Sequence, residues 1–485
     1  MIGNCKAYYR IHGDNTKSYM VMVHAAISCI SQKYASHSQF VPYSKQICAK
    51  QQMISSLHWL LENVLQNPKT YKHIIDNFCV VTTVGDKNSF IQNAKAILKS
   101  CFMGRFSNVV VDQLAELVLE MILTICKNCV IDFESAVNYC EKYFERLCFE
   151  AAGPFFNVSK VVDGLLLVKN SRSIPLMNAD SYQQAVFAMF DDTFCSASSA
   201  VIENDSDNAA NFFEFPMKVM NEWIEKLNFL GVSVLFFQGK TMESFRFLCE
   251  SKSLILFDCI AVDDMLFLLE CLKCQPLLDI TDLLDERSMV SLKLSEISVC
   301  NDSYLLLQKT SFGNEIQPCS LMLCSPSPGL CSQYKQSVCS SILVLRNWLS
   351  CNILGVEVGT GYAVKGNGHF HLQLFNYLQN ADTVMKVLGK SWNGNEIEMY
   401  SAALPVISEL LLAIPKTLHG NSTDPKDITH RFIDKIIHFG SEKDSCSTSE
   451  HLIGDILHPL NSQIALVSHV IQSICQLLRI NDIVS

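Results

Sequence analysis

The sequence predicts an α+β multidomain chain in which a helical domain, split between the two ends, encloses a nested α/β domain. Three observations predict it. Apolar residues recur at helical spacing in the first third of the chain and again in the last third. The middle instead alternates short apolar runs with helical stretches, the order of a βαβ unit, which right-handed crossovers assemble into a parallel sheet. At 485 residues the chain exceeds the size at which one core stops growing, so two or three domains are expected.

Taken in order, residues 18–32 and the segment SLHWLLENVL, 56–65, read as helices. Asp112 to Leu123, DQLAELVLEMIL, repeats apolar side chains at three and four and predicts a helix with a buried face. In the middle, Val161 to Val168 and Ala185 to Phe190 are short apolar runs with polar flanks, the pattern of buried strands. Cys195 to Asn211 is rich in Ser, Asn and Asp and predicts a loop. Helix, strand, helix, strand and helix follow, over Met217–Leu230, Val232–Gln238, Met242–Glu250, Leu254–Ile260 and Val262–Lys273. From about Ser337 the pattern is helical again, and the last helix carries Ile464, Val467, Ile471, Ile474 and Leu478 on one face.

Composition narrows the function. The chain is 49% hydrophobic and 18% charged, which places it with core-rich globular proteins. Its net charge of -10 and pI near 5.7 argue against a nucleic-acid partner, because phosphate contacts need clustered Lys and Arg. The start, MIGNCKAYYRIHGD, lacks the charged flank and apolar core of a signal peptide. Uninterrupted apolar runs fall short of the roughly 20 residues that span a bilayer, so a soluble protein without membrane insertion is expected. The 22 Cys are scattered through apolar stretches, as free thiols are in a reducing compartment.

Several constellations have residue types that could carry chemistry. Cys126/Cys129 and Cys271/Cys274 have zinc-ligand spacing, but both pairs sit in apolar helical surroundings without the turns that let thiolates converge. They read as core or surface thiols. His369-Phe370-His371 would put two imidazoles on one face of a strand or splay them on a helix, and two ligands do not close a metal site. GDNTKS, 13–18, ends like a phosphate-binding loop but lacks the upstream glycine and the preceding strand. No G-x-S-x-G or H-E-x-x-H motif is present.

Four places, in order, resemble the group II chaperonins of the TCP-1/cpn60 family. Ile456 to Val484 is similar to the closing segment, with Leu478, Arg479, Ile480, Asn481, Asp482 and Ile483 carrying the likeness. Phe229 to Leu277 looks like the substrate-facing apical segment. Gly13-Asp14-Asn15-Thr16-Lys17-Ser18 resembles the loop that opens a helix at the nucleotide site, and Lys365-Gly366-Asn367-Gly368 the triple-glycine turn that receives adenine and ribose. Three further stretches, 98–114, 324–349 and 410–418, are similar to the Bardet-Biedl branch of chaperonin-like proteins.

The resemblance implies a group II chaperonin-like fold. A helical equatorial domain would be split over 1–90 and 351–485, an intermediate hinge domain over 91–155 and 301–350, and an α/β apical domain inserted at 156–300. Between Ala185 and Met217 the family carries a long helical protrusion, and here only the polar loop and FFEF stand in its place. Gly13, Asp14, Thr16, Gly366 and Gly368 are the implied nucleotide-binding positions, in degenerate form. Asn15 replaces a glycine whose missing side chain lets backbone approach phosphate. The chain starts twelve residues before Gly13, so the upstream phosphate loop of the family is not expected in it. Apolar alignment puts Ser340 where the family has the acid that orients water, and a hydroxyl cannot act as that base near neutral pH.

A chaperonin-like protein without ATP hydrolysis is therefore expected, with no catalytic residue, no metal ligand set and no resident cofactor. ATP and Mg2+ have only the degenerate positions to hold them. Asp14 also has an ordinary reading, as the N-cap of the helix it precedes. The branch likeness implies other chaperonin-like Bardet-Biedl proteins, the cytosolic chaperonin (CCT/TRiC) and BBSome subunits as partners, and the cytoplasm, centrosome, basal body or cilium as location. An ATP-hydrolysing folding subunit and a scaffold in a non-ciliary pathway are the alternatives.

Overall fold

The computed structural model describes residues 2–35, 43–83, 86–129, 131–153, 158–168, 182–189, 209–278, 282, 287–299, 302–309, 318–349, 360–420 and 456–480. They form two compact units, one of residues 1–116 with 337–485 and one of residues 117–336. The chain crosses between them inside two helices. The split helical unit and the nested middle unit thus follow the predicted order.

The helical unit opens with α1 (Ile2–His12), α2 (Thr16–Ala35) and α3 (Tyr43–Leu60), and a π-helical turn, Leu61–Leu65, extends α3. α4 (Pro68–Phe78) starts where its residues dictate: Pro68 occupies the first turn, and the Asn67 side chain accepts from the Lys69 amide at 3.0 Å. Strand β1 (Cys79–Thr83), α5 (Lys87–Phe102), capped by Asp86, and α6 (Asn108–Cys129) follow.

The middle unit starts within α6 and continues through α7 (Phe133–Leu147), capped by Asp132, and strands β2 (Cys148–Ala152), β3 (Lys160–Asp163), β4 (Leu165–Val168) and β5 (Tyr182–Ala188). α8 (Ala209–Phe229), β6 (Val232–Gln238), α9 (Glu243–Ser251), β7 (Ile255–Ile260) and α10 (Val262–Leu272) come next. β8 (Met289–Val299), β9 (Asp302–Lys309), β10 (Cys319–Ser325) and α11 (Pro328–Leu349) complete it, the last helix running on into the helical unit.

β5, β6 and β7 pair in parallel, as the βαβ pattern required, inside a six-stranded sheet of order β4-β9-β8-β5-β6-β7. β6 is buried on both faces because α8 and α9 pack on one side and α10 on the other, so its residues read as a continuous apolar run. Phe187, Phe236 and Phe257 stack across the three strands at 4.7 and 5.2 Å between ring centres.

The single strand expected over Val161–Val168 is two. Gly164, at φ +128, breaks it, leaving β3 in a three-stranded sheet with β2 and β10, and β4 at the edge of the six-stranded one. A Cβ at Gly164 would come within 2.7 Å of the Leu307 carbonyl, so glycine permits both the turn and the approach. The loop expected over 195–211 lies outside the described residues up to Asn208, and its last three residues already belong to α8.

Back in the helical unit, β11 (Thr360–Lys365), α12 (His369–Gln379), α13 (Ala381–Leu388), α14 (Gly394–Gly420), β12 (Leu457–Pro459) and α15 (Leu460–Arg479) close the chain. The two strands were not expected there; β11 pairs antiparallel with both β1 and β12. α14 is long and apolar enough over Gly394–Leu418 to cross a membrane by length and composition. Ala403, Val406, Ile407, Leu410 and Leu411 instead bury one face of it in the core with α2, α3 and α15. The terminal helix buries Ile464, Val467, Ile471 and Ile474 as predicted, and residues 481–483 of the tail lie outside the described residues.

Candidate functional site

Between α1 and α2 the chain turns through two left-handed residues, Gly13 at φ +74 and Asn15 at φ +67. Asn tolerates that region better than most side chains, so the backbone keeps a glycine-like path although glycine is absent at 15. The Asn15 carbonyl takes the first helical hydrogen bond, from the Tyr19 amide at 2.9 Å, and Thr16, half-buried, opens α2. The N-cap position is therefore Asn15, one residue beyond Asp14.

Gly13 packs on α11 at Ser340. A Cβ there would lie 2.4 Å from the Ser340 carbonyl oxygen and 3.1 Å from Leu343 Cβ. The Ser340 hydroxyl, buried, is 2.5 Å from the Tyr9 hydroxyl of α1. Replacement of Gly13 by alanine is expected to cost about 2–4 kcal/mol, roughly 1 for the left-handed backbone and about 1–3 for the forced shift of α11. Chemical denaturation of the variant measures it; a loss below about 1 kcal/mol would show that the loop is not seated on Ser340.

Asp14 is engaged by Arg105, which follows α5. The guanidinium Nη2 donates to Asp14 Oδ1 at 3.1 Å, with the two side chains 27% and 21% exposed for arginine and aspartate respectively. Cys101, fully buried on α5 nearby, has its thiol pushed well up by burial, with the Asp14 carboxylate adding to the effect.

The second glycine motif connects β11 to α12. Asn367 at φ +55 and Gly368 at φ +78, with the His369 amide donating to the Gly366 carbonyl at 3.0 Å, form a type I′ turn. Both glycines are held from outside the turn. A Cβ on Gly366 would stand 2.5 Å from Ile456 Cγ2 and 2.9 Å from His458 Nε2, and one on Gly368 3.0 Å from Pro415 Cγ. His458 lies opposite Val364 in the β11–β12 pairing, and its imidazole is held below the usual range by burial, opposed by the Asp14 carboxylate.

Thus the fold brings Gly13, Asp14 and Ser340 together, and His458 links them to the Gly366 turn. Arg105, Tyr9 and His458 carried no signal in the sequence. Each is a lone residue whose partner is tens to hundreds of positions away, and no spacing rule reaches that far.

The other constellations stay apart. His369 and His371 splay on α12; His371 is buried, and burial, followed by the nearby His458, lowers its pKa to about 3. Cys271 and Cys274 are buried thiols, with Cys271 Sγ 3.1 Å from the Tyr139 hydroxyl, Cys126 is partly buried, and the Cys129 side chain lies outside the described residues. Among the described residues no group of three His, Cys, Asp or Glu is placed to hold a metal.

Residues 68–485 match the model of the TCP-1/cpn60 chaperonin family. Among solved structures, the chain is similar to a group III chaperonin in the open state, with a TM-score of 0.63 at 13% identity, over 100% of this chain and 87% of that one. No curated protein matches it by sequence.

Proposed function

This chain belongs to the TCP-1/cpn60 chaperonin family, and from that premise we propose that it is a chaperonin-like protein that does not hydrolyse ATP. The observation that carries the reading is the pairing of Asp14 with Arg105 beside Ser340. Asp14 is the position that the family resemblance gives to holding Mg2+ at the phosphates, and here its charge is balanced by a guanidinium. Binding the cation would first require that pair to separate, with a half-buried arginine left uncompensated. At the position of the water-orienting acid, Ser340 offers a hydroxyl already bonded to Tyr9. Filling of the Gly366 and Gly368 flanks by Ile456, His458 and Pro415 further supports weak or absent nucleotide binding.

Phosphate release by the purified full chain with Mg2+ and ATP tests this. The expected rate equals that of Asp14→Ala, both at buffer background. A rate above background that disappears in Asp14→Ala overturns the reading and makes the protein an ATP-driven folding subunit. Arg105→Ala is expected to leave hydrolysis absent, because freeing Asp14 does not supply a carboxylate at Ser340.

Within the family, the segments 98–114, 324–349 and 410–418 favour the Bardet-Biedl branch, most closely the chaperonin-like Bardet-Biedl syndrome 10 protein. On that likeness the client is the BBSome, assembled with the sister chaperonin-like proteins and the cytosolic chaperonin in the cytoplasm or at the ciliary base. Affinity capture from ciliated cells is expected to recover those sister proteins and chaperonin subunits. Their absence from a capture in which the bait is folded favours a scaffold in another pathway.

A further inference from the structure

The middle unit contains a cavity of about 280 Å³ that the chaperonin reading does not use. It is lined by Leu167 and Val168 of β4 and by Phe257 and Cys259 of β7. These strands are the two opposite edges of the six-stranded sheet, and residues of both line the space. Phe149 of β2, Phe267 of α10 and Leu305 of β9 add apolar side chains to a wall that is polar and apolar in nearly equal parts. The volume is near the lower end of those that hold small organic ligands.

The charges at its margin select the ligand. Of the three lining acids, Asp258 is neutralised, its Oδ2 held by Arg246 Nη2 at 2.6 Å, while the largely exposed Glu145 meets Lys335 Nζ at 2.8 Å, and neither cation lines the cavity. The third, Asp264, and its neighbour Asp263 lie 3.4 Å from Arg146, the one cation among the lining residues. Both aspartates are largely exposed, at 49% and 79%, and pairs of that kind are weak. Arg146 Nε is buried, and its only described contact with an acceptor, Asp264 Oδ1 at 3.4 Å, is too poorly aligned for a hydrogen bond. A buried donor without a well-aligned acceptor is destabilising, and a ligand acceptor would relieve it. α10 begins at this margin with Ala261 as its cap residue and no side chain capping it, which adds a partial positive charge.

We propose that this cavity binds a small apolar molecule bearing one carboxylate, with the carboxylate on Arg146 in place of Asp264 and the apolar body against Phe149, Phe257 and Phe267. The bidentate fork of Arg146 matches a carboxylate better than two aspartates at 3.4 Å do.

Cys259 reports occupancy, since its thiol is exposed and lines the cavity. The full chain is treated with N-ethylmaleimide with and without octanoate, and modification of Cys259 is followed by peptide mass spectrometry, with the exposed Cys48 as internal control. Octanoate at about ten times its Kd is expected to slow Cys259 modification about tenfold and leave Cys48 unchanged. Octanol, with the same tail and no carboxylate, is expected to protect several-fold less. Arg146→Gln should lose the protection, and Arg146→Lys, which keeps the charge without the fork, should retain part of it. No protection of Cys259 by octanoate in the wild-type chain overturns the proposal, as does equal protection by octanol or in a folded Arg146→Gln variant.

Discussion

Replacing Trp348 by alanine is expected to lower the stability of the helical unit by about 3–5 kcal/mol, the usual range for deleting a buried aromatic side chain. Trp348 is 1% exposed, is the largest fully buried side chain among the described residues, and sits on α11 two turns beyond Ser340. Its ring lies 4.8 Å from that of Phe90 on α5, and fills the space above Gly361, where a Cβ would stand 2.4 Å from Trp348 Cε2. The indole thus holds β11, and through it the Gly366 turn, against the helices that carry Ser340 and Cys101. Its Nε1 has no hydrogen-bond partner, so the loss is of packing rather than polar contacts. Thermal unfolding should fall by on the order of 10 °C. Trp348→Phe, which retains most of the volume, should lose less than half as much. If Trp348→Ala shifts the midpoint by only a degree or two, the cluster around Gly361 is not a packed core.

Acidification from pH 7 to pH 5 is expected to cost the same unit about 4 kcal/mol through buried histidines. His12 is 8% exposed, and burial, with His469 and Arg346 nearby, lowers its pKa to about 4. His371 is 4% exposed and lowered to about 3 by burial and His458. In the unfolded chain both titrate near 6.5. The folded values are depressed, so the unfolded state binds the extra protons. The stability is complete above about 6.5 and falls as the pH drops toward 4. Over the first 1.5 units below 6.5 each histidine forfeits about 2 kcal/mol. Carboxylates titrate mainly below pH 5, which keeps this window informative. His371→Phe should reduce the pH slope of the unfolding midpoint between 7 and 5 by its own share, about 2 kcal/mol over that range, with the remainder left to His12 and the other histidines lowered by burial. An unchanged slope in both His371→Phe and His12→Phe would falsify the assignment.

Much of the fold was legible because the middle unit is built from local patterns. Val232–Gln238 is the strand expected, and the helices on either side start and stop within a residue or two of their apolar periods, apart from the early start of α8 at Ala209. Gly164 shows the limit. A glycine in an apolar run signals close approach, yet only the position of Leu307 makes it a break between two sheets. None of β1, β2, β8, β9, β10, β11 or β12 was expected; β11 and β12 have no strand-forming neighbour in sequence, their partners lying in β1 and in each other, while the β8–β9 pair is local.

By itself the sequence determined which residues are glycine, acid or hydroxyl at Gly13, Asp14, Ser340, Gly366 and Gly368, and the family to which they belong, because backbone freedom and side-chain chemistry are local properties. Only the tertiary structure decided what Asp14 does. Its charge is answered by Arg105, 91 residues away in sequence. Coulomb interaction and burial depend on distance in space, and no periodicity along the chain encodes that distance.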